Sequence, residues 1–283
     1  MQIGIFAKTF ARPTLAATLD AIVAHGLHCV QFNLACAGGP SMPERIEPAL
    51  VATIRRELAA RQITMAAVSG TFNMIHPDLG WRRDGLRRLR ALAAACAGLG
   101  TQIITLSTGT RDPANMWQRH PDNDTTAAWQ DLLAAMTEAL AIAEEYAIVL
   151  AFEPEVSNVV DSAGKARRLL DALPSPHLKV VIDAANLFHA GELPRMREIL
   201  DEAFALLGEH IVIAHAKDLR RDGAAGDAAA GQGLLDYDHY LALLRAASFS
   251  GPVILHGLAE SQIDSSVAFL HEKLARSAEA GAG

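Results

Sequence analysis

Short apolar runs of strand length recur along the chain, each followed by a longer stretch in which apolar residues return every three or four positions. The runs are Gln2–Phe6, His28–Phe32, Ile63–Ser69, Gln102–Leu106, Ile148–Glu153, Leu178–Asp183, Ile211–His215 and Pro252–His256. The stretches between them cover roughly residues 14–25, 46–60, 82–99, 125–146, 162–173, 194–207, 237–247 and 263–276. A three-to-four spacing is that of an amphipathic helix, and a short unbroken apolar run is that of a strand covered on both faces. Strands alternating with helices predict a parallel sheet, and eight such units predict its closure. The expected fold is therefore α/β, a single (β/α)8 TIM barrel over residues 1–276. Residues 277–283 (SAEAGAG) read as a disordered tail.

Connections differ at the two ends of the predicted barrel. Helix-to-strand joints are tight, as at Gly26-Leu27, Arg61-Gln62, Gly100-Thr101 and Pro174–His177. Strand-to-helix joints are long and polar, notably Ala35–Arg45, Gly70–Trp81, Ser107–Asp124 and Ala216–Asp236. Long loops in a compact domain carry function, and a barrel works at the C-terminal ends of its strands. The Gly/Ala-rich run Arg221–Gly233 reads either as a mobile lid or as a solvated insertion.

Composition adds exclusions. A hydrophobic content of 51% suits a large buried core, and a net charge of −7 argues against a chain built to hold nucleic-acid phosphates. Cys29, Cys36 and Cys96 are odd in number and lack CxxC spacing, which suggests a reducing compartment. With no signal-like segment and no apolar stretch of membrane length, the expectation is a soluble, cytoplasmic protein without a membrane partner.

Three strand-like runs end on residues able to bind a metal. They are Phe152-Glu153-Pro154-Glu155, Val181-Ile182-Asp183-Ala184-Ala185-Asn186 and Ile213-Ala214-His215-Ala216-Lys217-Asp218. The steps are 30 residues from Glu153 to Asp183 and 32 from Asp183 to His215, about one strand–helix unit each. Residues placed alike on successive parallel strands meet at one end of the sheet. Two carboxylates and an imidazole would thus converge on one divalent-ion site.

The series ExE, DxxN and HxKD on the fifth, sixth and seventh strands resembles the sugar phosphate isomerase/epimerase family, a xylose isomerase-like TIM barrel of the AP endonuclease family two superfamily. The run Gly231-Gln232-Gly233-Leu234-Leu235-Asp236 resembles that family's GxGxxD, so the likeness extends over nearly the whole chain. The resemblance implies one divalent ion, manganese foremost with zinc, cobalt or magnesium as alternatives, held by Glu153, Asp183 and His215. The family's fourth ligand is a glutamate on the eighth strand, where this chain has His256, with Glu260 four residues on. An imidazole can replace a carboxylate as ligand, which makes His256 the expected fourth. The family's epimerases use the glutamates of strands 5 and 8 as two bases. Here Glu153 is the expected first base; the second stays open among Glu260, His256, Glu155 and a water.

The implied chemistry is proton transfer next to a carbonyl through an enediolate, with a small sugar, ketose, polyol-derived keto compound or sugar phosphate as substrate. Expected substrate contacts are Glu155, Asn158, Asn186, Lys217 and Arg221, with His76 after strand 3 and Arg111 and Trp117 after strand 4. Lys217 and Asp218 also read as a surface ion pair. A metal-free or non-catalytic sugar-binding barrel is the alternative. An abasic-site endonuclease-like metallonuclease fits less well, since it needs further His and Asp where this chain has Asn186, Gln31 and Asn33. A homo-oligomer remains open.

Overall fold

In the computed structural model, which describes residues 1–279, the predicted alternation is present in full. The barrel strands are Gln2–Phe6 (β1), Cys29–Phe32 (β2), Thr64–Ser69 (β3), Ile103–Ser107 (β4), Val149–Glu153 (β5), Leu178–Asp183 (β6) and Ile211–Asp218 (β7), followed after a two-residue strand, Ala228–Ala229 (β8), by Pro252–Leu255 (β9). β1 pairs in parallel with β2 and β9, β9 with β7, and β7 with β6, so the ladder closes on itself. Only β8 is antiparallel, with Lys217 opposite Ala229 and Asp218 opposite Ala228 on β7. The chain folds as a single (β/α)8 TIM barrel.

Among the described residues, eight α-helices cover the outside: Leu15–Ala24 (α1), Pro48–Ala60 (α2), Leu79–Leu99 (α3), Thr126–Glu145 (α4), Ala163–Ala172 (α5), Met196–Leu207 (α6), Tyr237–Ala246 (α7) and Ile263–Glu279 (α8). Local chemistry sets several of their starts. Thr14, Asp78, Thr125, Ser162 and Asp236 each accept a bond from an amide in the first turn with their own side chains. The Asp78 cap starts α3 ahead of the expected residue 82, so Trp81 lies in the helix rather than in the loop. Of the expected tail, residues 277–279 belong to α8, and 280–283 lie outside the described residues. No helix among the described residues is long and apolar enough to cross a membrane.

The main core lies between strands and helices. A second, smaller cluster of Cys29, Ala67, Ala151, Val181, Ile213 and Ile254 fills the barrel interior. Small residues are needed there because the strands crowd: a Cβ on Gly4 would stand 2.7 Å from both the Cys29 carbonyl and Ile254 Cδ1. Side chains alternate across a strand. Continuing upward from the interior cluster, the same face therefore carries Glu153 above Ala151, Asp183 above Val181, His215 and Lys217 above Ile213, and His256 above Ile254.

The Arg221–Gly233 run is exposed at both ends and fastened to the barrel in between and at its C-terminal end. Asp218 is 1% exposed and its carboxylate accepts bonds from the amides of Leu219, Gly231, Gly233 and Leu235 at 2.8–3.1 Å. Gly233 must be glycine, since a Cβ would sit 2.3 Å from Asp218 Oδ1. The expected Lys217–Asp218 surface pair is thereby replaced: Lys217 points inward, and Asp218 organises the loop. Removing that carboxylate strands buried amides. Asp218→Ala should cost about 3 kcal/mol or more, read as a lowered urea midpoint; an unchanged midpoint would refute this account of the loop.

Candidate metal centre and active site

A cavity of about 780 Å3 opens at the C-terminal ends of the strands. Glu153 and His215 line it, and with Asp183, fully buried just beneath, they bring one ligand atom each within 4.8 Å of one another. His215 Nδ1 lies 3.6 Å from Glu153 Oε2 and 3.6 Å from Asp183 Oδ2. That nitrogen is buried and has no hydrogen-bond partner. The other ring nitrogen, Nε2, lies 2.9 Å from Gln31 Oε1, and Gln31 is in turn held by Thr105 Oγ1 at 3.2 Å. With Nε2–H donating to Gln31, Nδ1 is the nitrogen aimed at the two carboxylates; it carries a proton there when no ion is bound and would present its lone pair to an ion that displaces that proton, the arrangement that orients a ligating histidine. Ligands about 2.1 Å from a common ion stand roughly 3–4 Å apart, so the three groups fit a divalent cation.

Electrostatics support the same reading. Burial alone would raise the Glu153 and Asp183 carboxyls, but the charges of His215 and Lys217 outweigh it, and both are held below their ordinary values. Lys217 Nζ is 3.3 Å from Asp183 Oδ2; burial opposes its charge, yet the surrounding carboxylates raise its pKa. Burial would likewise lower His215, but Glu153 and Asp183 push it up to about 9. Glu155 lines the same cavity, and burial followed by the Glu153 charge pushes it up to about 7. His256 is driven down to about 3 by burial and by the charges of His215 and Lys217.

Not every expected residue reaches this cavity. Glu155, Asn186, Lys217, Trp117 and His256 line it. The His256 ring stacks edge-on to Phe6 and lies 5.1 Å from the His215 ring, but it is outside the three-residue ligand cluster. Glu260 is turned away: it opens the short 3-10 turn Glu260–Gln262 ahead of α8 and is bonded through both oxygens to Arg12, at 3.0 and 2.5 Å. Asn158 is fully buried behind the wall, its Oδ1 accepting from Ser107 Oγ and the Gly109 amide, both at 2.6 Å. Arg111 ties the Ile75 carbonyl to Asp131 on α4. His76 bonds the Pro113 carbonyl and the Asp78 amide, with its ring stacked on Trp81. Arg221 is exposed at the start of the Gly/Ala-rich run and does not line the cavity. These side chains build the loops rather than the floor, because a loop residue's direction follows from loop contacts that no strand periodicity encodes.

Several cavity residues escaped the sequence reading. Gln31, Ser69, Thr105 and Ser107 line it from β2, β3 and β4, and Lys8 from the segment after β1. The signal was available: Gln31 and Ser69 fall two residues beyond the interior residues Cys29 and Ala67, and Thr105 and Ser107 share one face of β4, so all four are polar residues on the inward face of apolar runs.

Residues 19–273 match the xylose isomerase-like TIM barrel family, and the chain belongs to that family. No curated protein matches its sequence. Among solved structures, it is similar to a D-tagatose 3-epimerase-like protein, with TM-score 0.79 and 14% identity over 99% of both chains. It also resembles an L-ribulose 3-epimerase, with TM-score 0.77 and 14% identity over 99% of this chain and 97% of the other. A third likeness is to the IOLI protein with a binding zinc atom, with TM-score 0.73 and 17% identity over 98% of both chains. At these identities the likeness establishes the fold.

The charge arrangement has a measurable consequence in protein stripped of divalent ions. Folding raises Glu155 from 4.5 to about 7 and His215 from 6.5 to about 9. In both cases the folded state holds the proton more tightly, so stability falls as pH rises through those windows. The depressed Asp183 and Glu153 act oppositely, and only at acid pH. His256, lowered from 6.5 to about 3, acts oppositely and offsets Glu155 below pH 6.5. The thermal midpoint of stripped protein should therefore change little below pH 6.5 and fall between pH 6.5 and 9, and Glu155→Gln should turn the flat region into a rise with pH. A midpoint indifferent to pH from 6.5 to 9 would refute the assignment.

Proposed function

We propose that this barrel is a metal-dependent isomerase or epimerase acting on a small sugar, ketose, polyol-derived keto compound or sugar phosphate by proton transfer next to a carbonyl. The carrying observation is the unpartnered, buried Nδ1 of His215 facing two carboxylates at 3.6 Å on the floor of an open cavity. Membership of the xylose isomerase-like family and likeness to a D-tagatose 3-epimerase-like protein and an L-ribulose 3-epimerase favour the same chemistry. The ion is manganese on this reading, with zinc, cobalt or magnesium as alternatives; the similar IOLI protein has a binding zinc atom.

A divalent ion held by Glu153, Asp183 and His215 supplies Lewis-acid polarisation of a hydroxy-carbonyl group, which lowers the cost of removing the neighbouring proton. The remaining work belongs to the chain. Glu153 takes the proton from carbon on a carboxylate oxygen, and Asn186, bonded to Glu153 Oε1 at 2.6 Å, aims that carboxylate. Lys217 holds the substrate oxygen on which negative charge grows. Thr105, on the strand next to Glu153, offers a hydroxyl to the sugar, Ser107 Oγ, which donates to Asn158, lines the same wall, and Trp117, 55% exposed at the mouth, offers an apolar face. With Glu260 engaged by Arg12, the groups left to return the proton from the cavity are Glu155, His256 and water.

One observation favours a second reading, a metal-free sugar-binding barrel. Lys217 already neutralises Asp183 at 3.3 Å, so the cluster is partly charge-balanced without an ion. Metal content separates the two. Protein purified and reconstituted with Mn2+ should hold about one ion per chain, and Asp183→Ala should lose it with the circular dichroism of the fold unchanged; failure to retain Mn2+, Zn2+, Co2+ or Mg2+ would favour the second reading.

Turnover supplies a further test. Glu153→Gln should reduce kcat by roughly 100- to 10,000-fold and weaken ion binding. Deuterium from solvent should enter the carbon next to the carbonyl during turnover of an active ketose. Full retention of the substrate hydrogen would instead indicate hydride transfer. His256→Glu should keep the ion and change rate or substrate choice; identical ion affinity and kinetics would mark His256 as a bystander.

A further inference from the structure

The Gly/Ala-rich segment after β7 crosses the edge of the cavity as a strap, and the polar contacts of its first half, Asp222 to Gly226, converge on one place. Leu193 N donates to Asp222 Oδ2 at 2.9 Å, Gly223 N to the Phe188 carbonyl at 2.9 Å, and Gly226 N to Asn186 Oδ1 at 2.9 Å. All three partners lie in the segment following β6, the strand that ends on Asp183. Ala225 of the strap lines the cavity itself. The far end is fixed by the pairing of β8 with β7 and by the Asp218 carboxylate.

Asn186 stands between the strap and the ligand cluster. Its Nδ2 donates to Glu153 Oε1 at 2.6 Å and faces Asp183 Oδ2 at 3.3 Å, while its Oδ1 accepts from Gly226 N. Only an amide in this one orientation satisfies all three neighbours. Flipped, it would set an oxygen against two carboxylates and an NH2 against an N–H. Asn186 is 1% exposed, so each lost bond leaves a buried polar group unpaired. A seated strap thus holds the Asn186 amide in the orientation that aims both carboxylates. Gly226 also has no room to spare. A Cβ there would lie 2.5 Å from the Asp218 carbonyl oxygen and 2.7 Å from Ala185 Cβ, so the strap seats only with glycine at this point.

We propose that the Gly226 amide and Asn186 form a positioning pair that couples seating of the strap to divalent-ion affinity at Glu153, Asp183 and His215. The coupling rests on the reading of that cluster as a metal centre. Neither residue needs to touch the ion. Coupling is reciprocal: a seated strap tightens ion binding, and a bound ion seats the strap.

Two readouts on the full-length protein test this, Mn2+ affinity by calorimetry and trypsin cleavage after the exposed Arg220 and Arg221. In the unmodified protein, Mn2+ should slow cleavage at these arginines several-fold relative to chelator. Gly226→Ala should raise the Mn2+ Kd by about 10- to 100-fold, the usual effect of losing an outer support of a ligand, and should speed cleavage in chelator. Asn186→Ala should weaken Mn2+ similarly and abolish protection of the strap by the ion that still binds at saturating concentration. A Gly226→Ala protein with a loosened strap and unmodified Mn2+ affinity would overturn the coupling while leaving the metal centre intact. Absence of Mn2+ binding in the unmodified protein would overturn the metal reading itself and the coupling with it. Global unfolding by Gly226→Ala is checked by its thermal midpoint; should it unfold, equal protection of the strap by Mn2+ in Asn186→Ala and unmodified protein would still overturn the proposal.

Discussion

A closed parallel ladder leaves a side chain only two places to go, the barrel interior or the helix layer. Every other feature of the site depends on that alternation. The interior of this barrel is filled by Ala67, Ala151, Val181, Ile213 and Ile254, and the next inward positions up the strands have no apolar partner above them. Glu153, Asp183, His215 and His256 occupy those positions. Closure through β6–β7 and β7–β9 then sets Asp183 directly opposite His215 and His215 opposite Ile254. The strand register, rather than any loop, is what makes the cluster converge.

Placing two carboxylates on an apolar floor is costly unless charge and hydrogen bonds compensate. Here Lys217, His215 and Asn186 do so together, and the compensation reaches outward through Gln31 to Thr105 on one side and through Gly226 to the strap on the other. Glu155 is left over: burial, then the Glu153 charge, pushes its carboxyl up to about 7, and Lys217, shared among three acids, offsets them only in part. A cluster so arranged has one buried nitrogen without a partner. Supplying that partner is what a divalent cation would do.

The loops obey a different logic. Arg111, His76, Asn158 and Glu260 carry the residue types expected of a sugar site, yet each spends its polar atoms on its own scaffold: Arg111 on Ile75 and Asp131, His76 on Pro113 and Asp78, Asn158 on Ser107 and Gly109, Glu260 on Arg12. Asp218 does the same for the strap, where its carboxylate organises four amides in place of the expected ion pair with Lys217. Long polar loops at a barrel's working end need internal fastening before they can present anything to a ligand.

What the sequence determined by itself was everything periodicity governs: eight strand–helix units, the working end of the barrel, and the convergence of Glu153, Asp183 and His215, because equal placement on successive parallel strands is a one-dimensional property. Polar residues at the tops of β2, β3 and β4 were legible by the same alternation, although they carry no motif. The tertiary structure alone decided which loop residues face the cavity, since those directions are set by partners 30 or more residues away, as between Arg111 and Ile75 or Glu260 and Arg12. It alone showed that the Gly/Ala-rich run is a fastened strap. Glycine and alanine encode no direction of their own; Asp218 and Asn186 give the strap its place, through bonds that form only once β6 and β7 lie side by side.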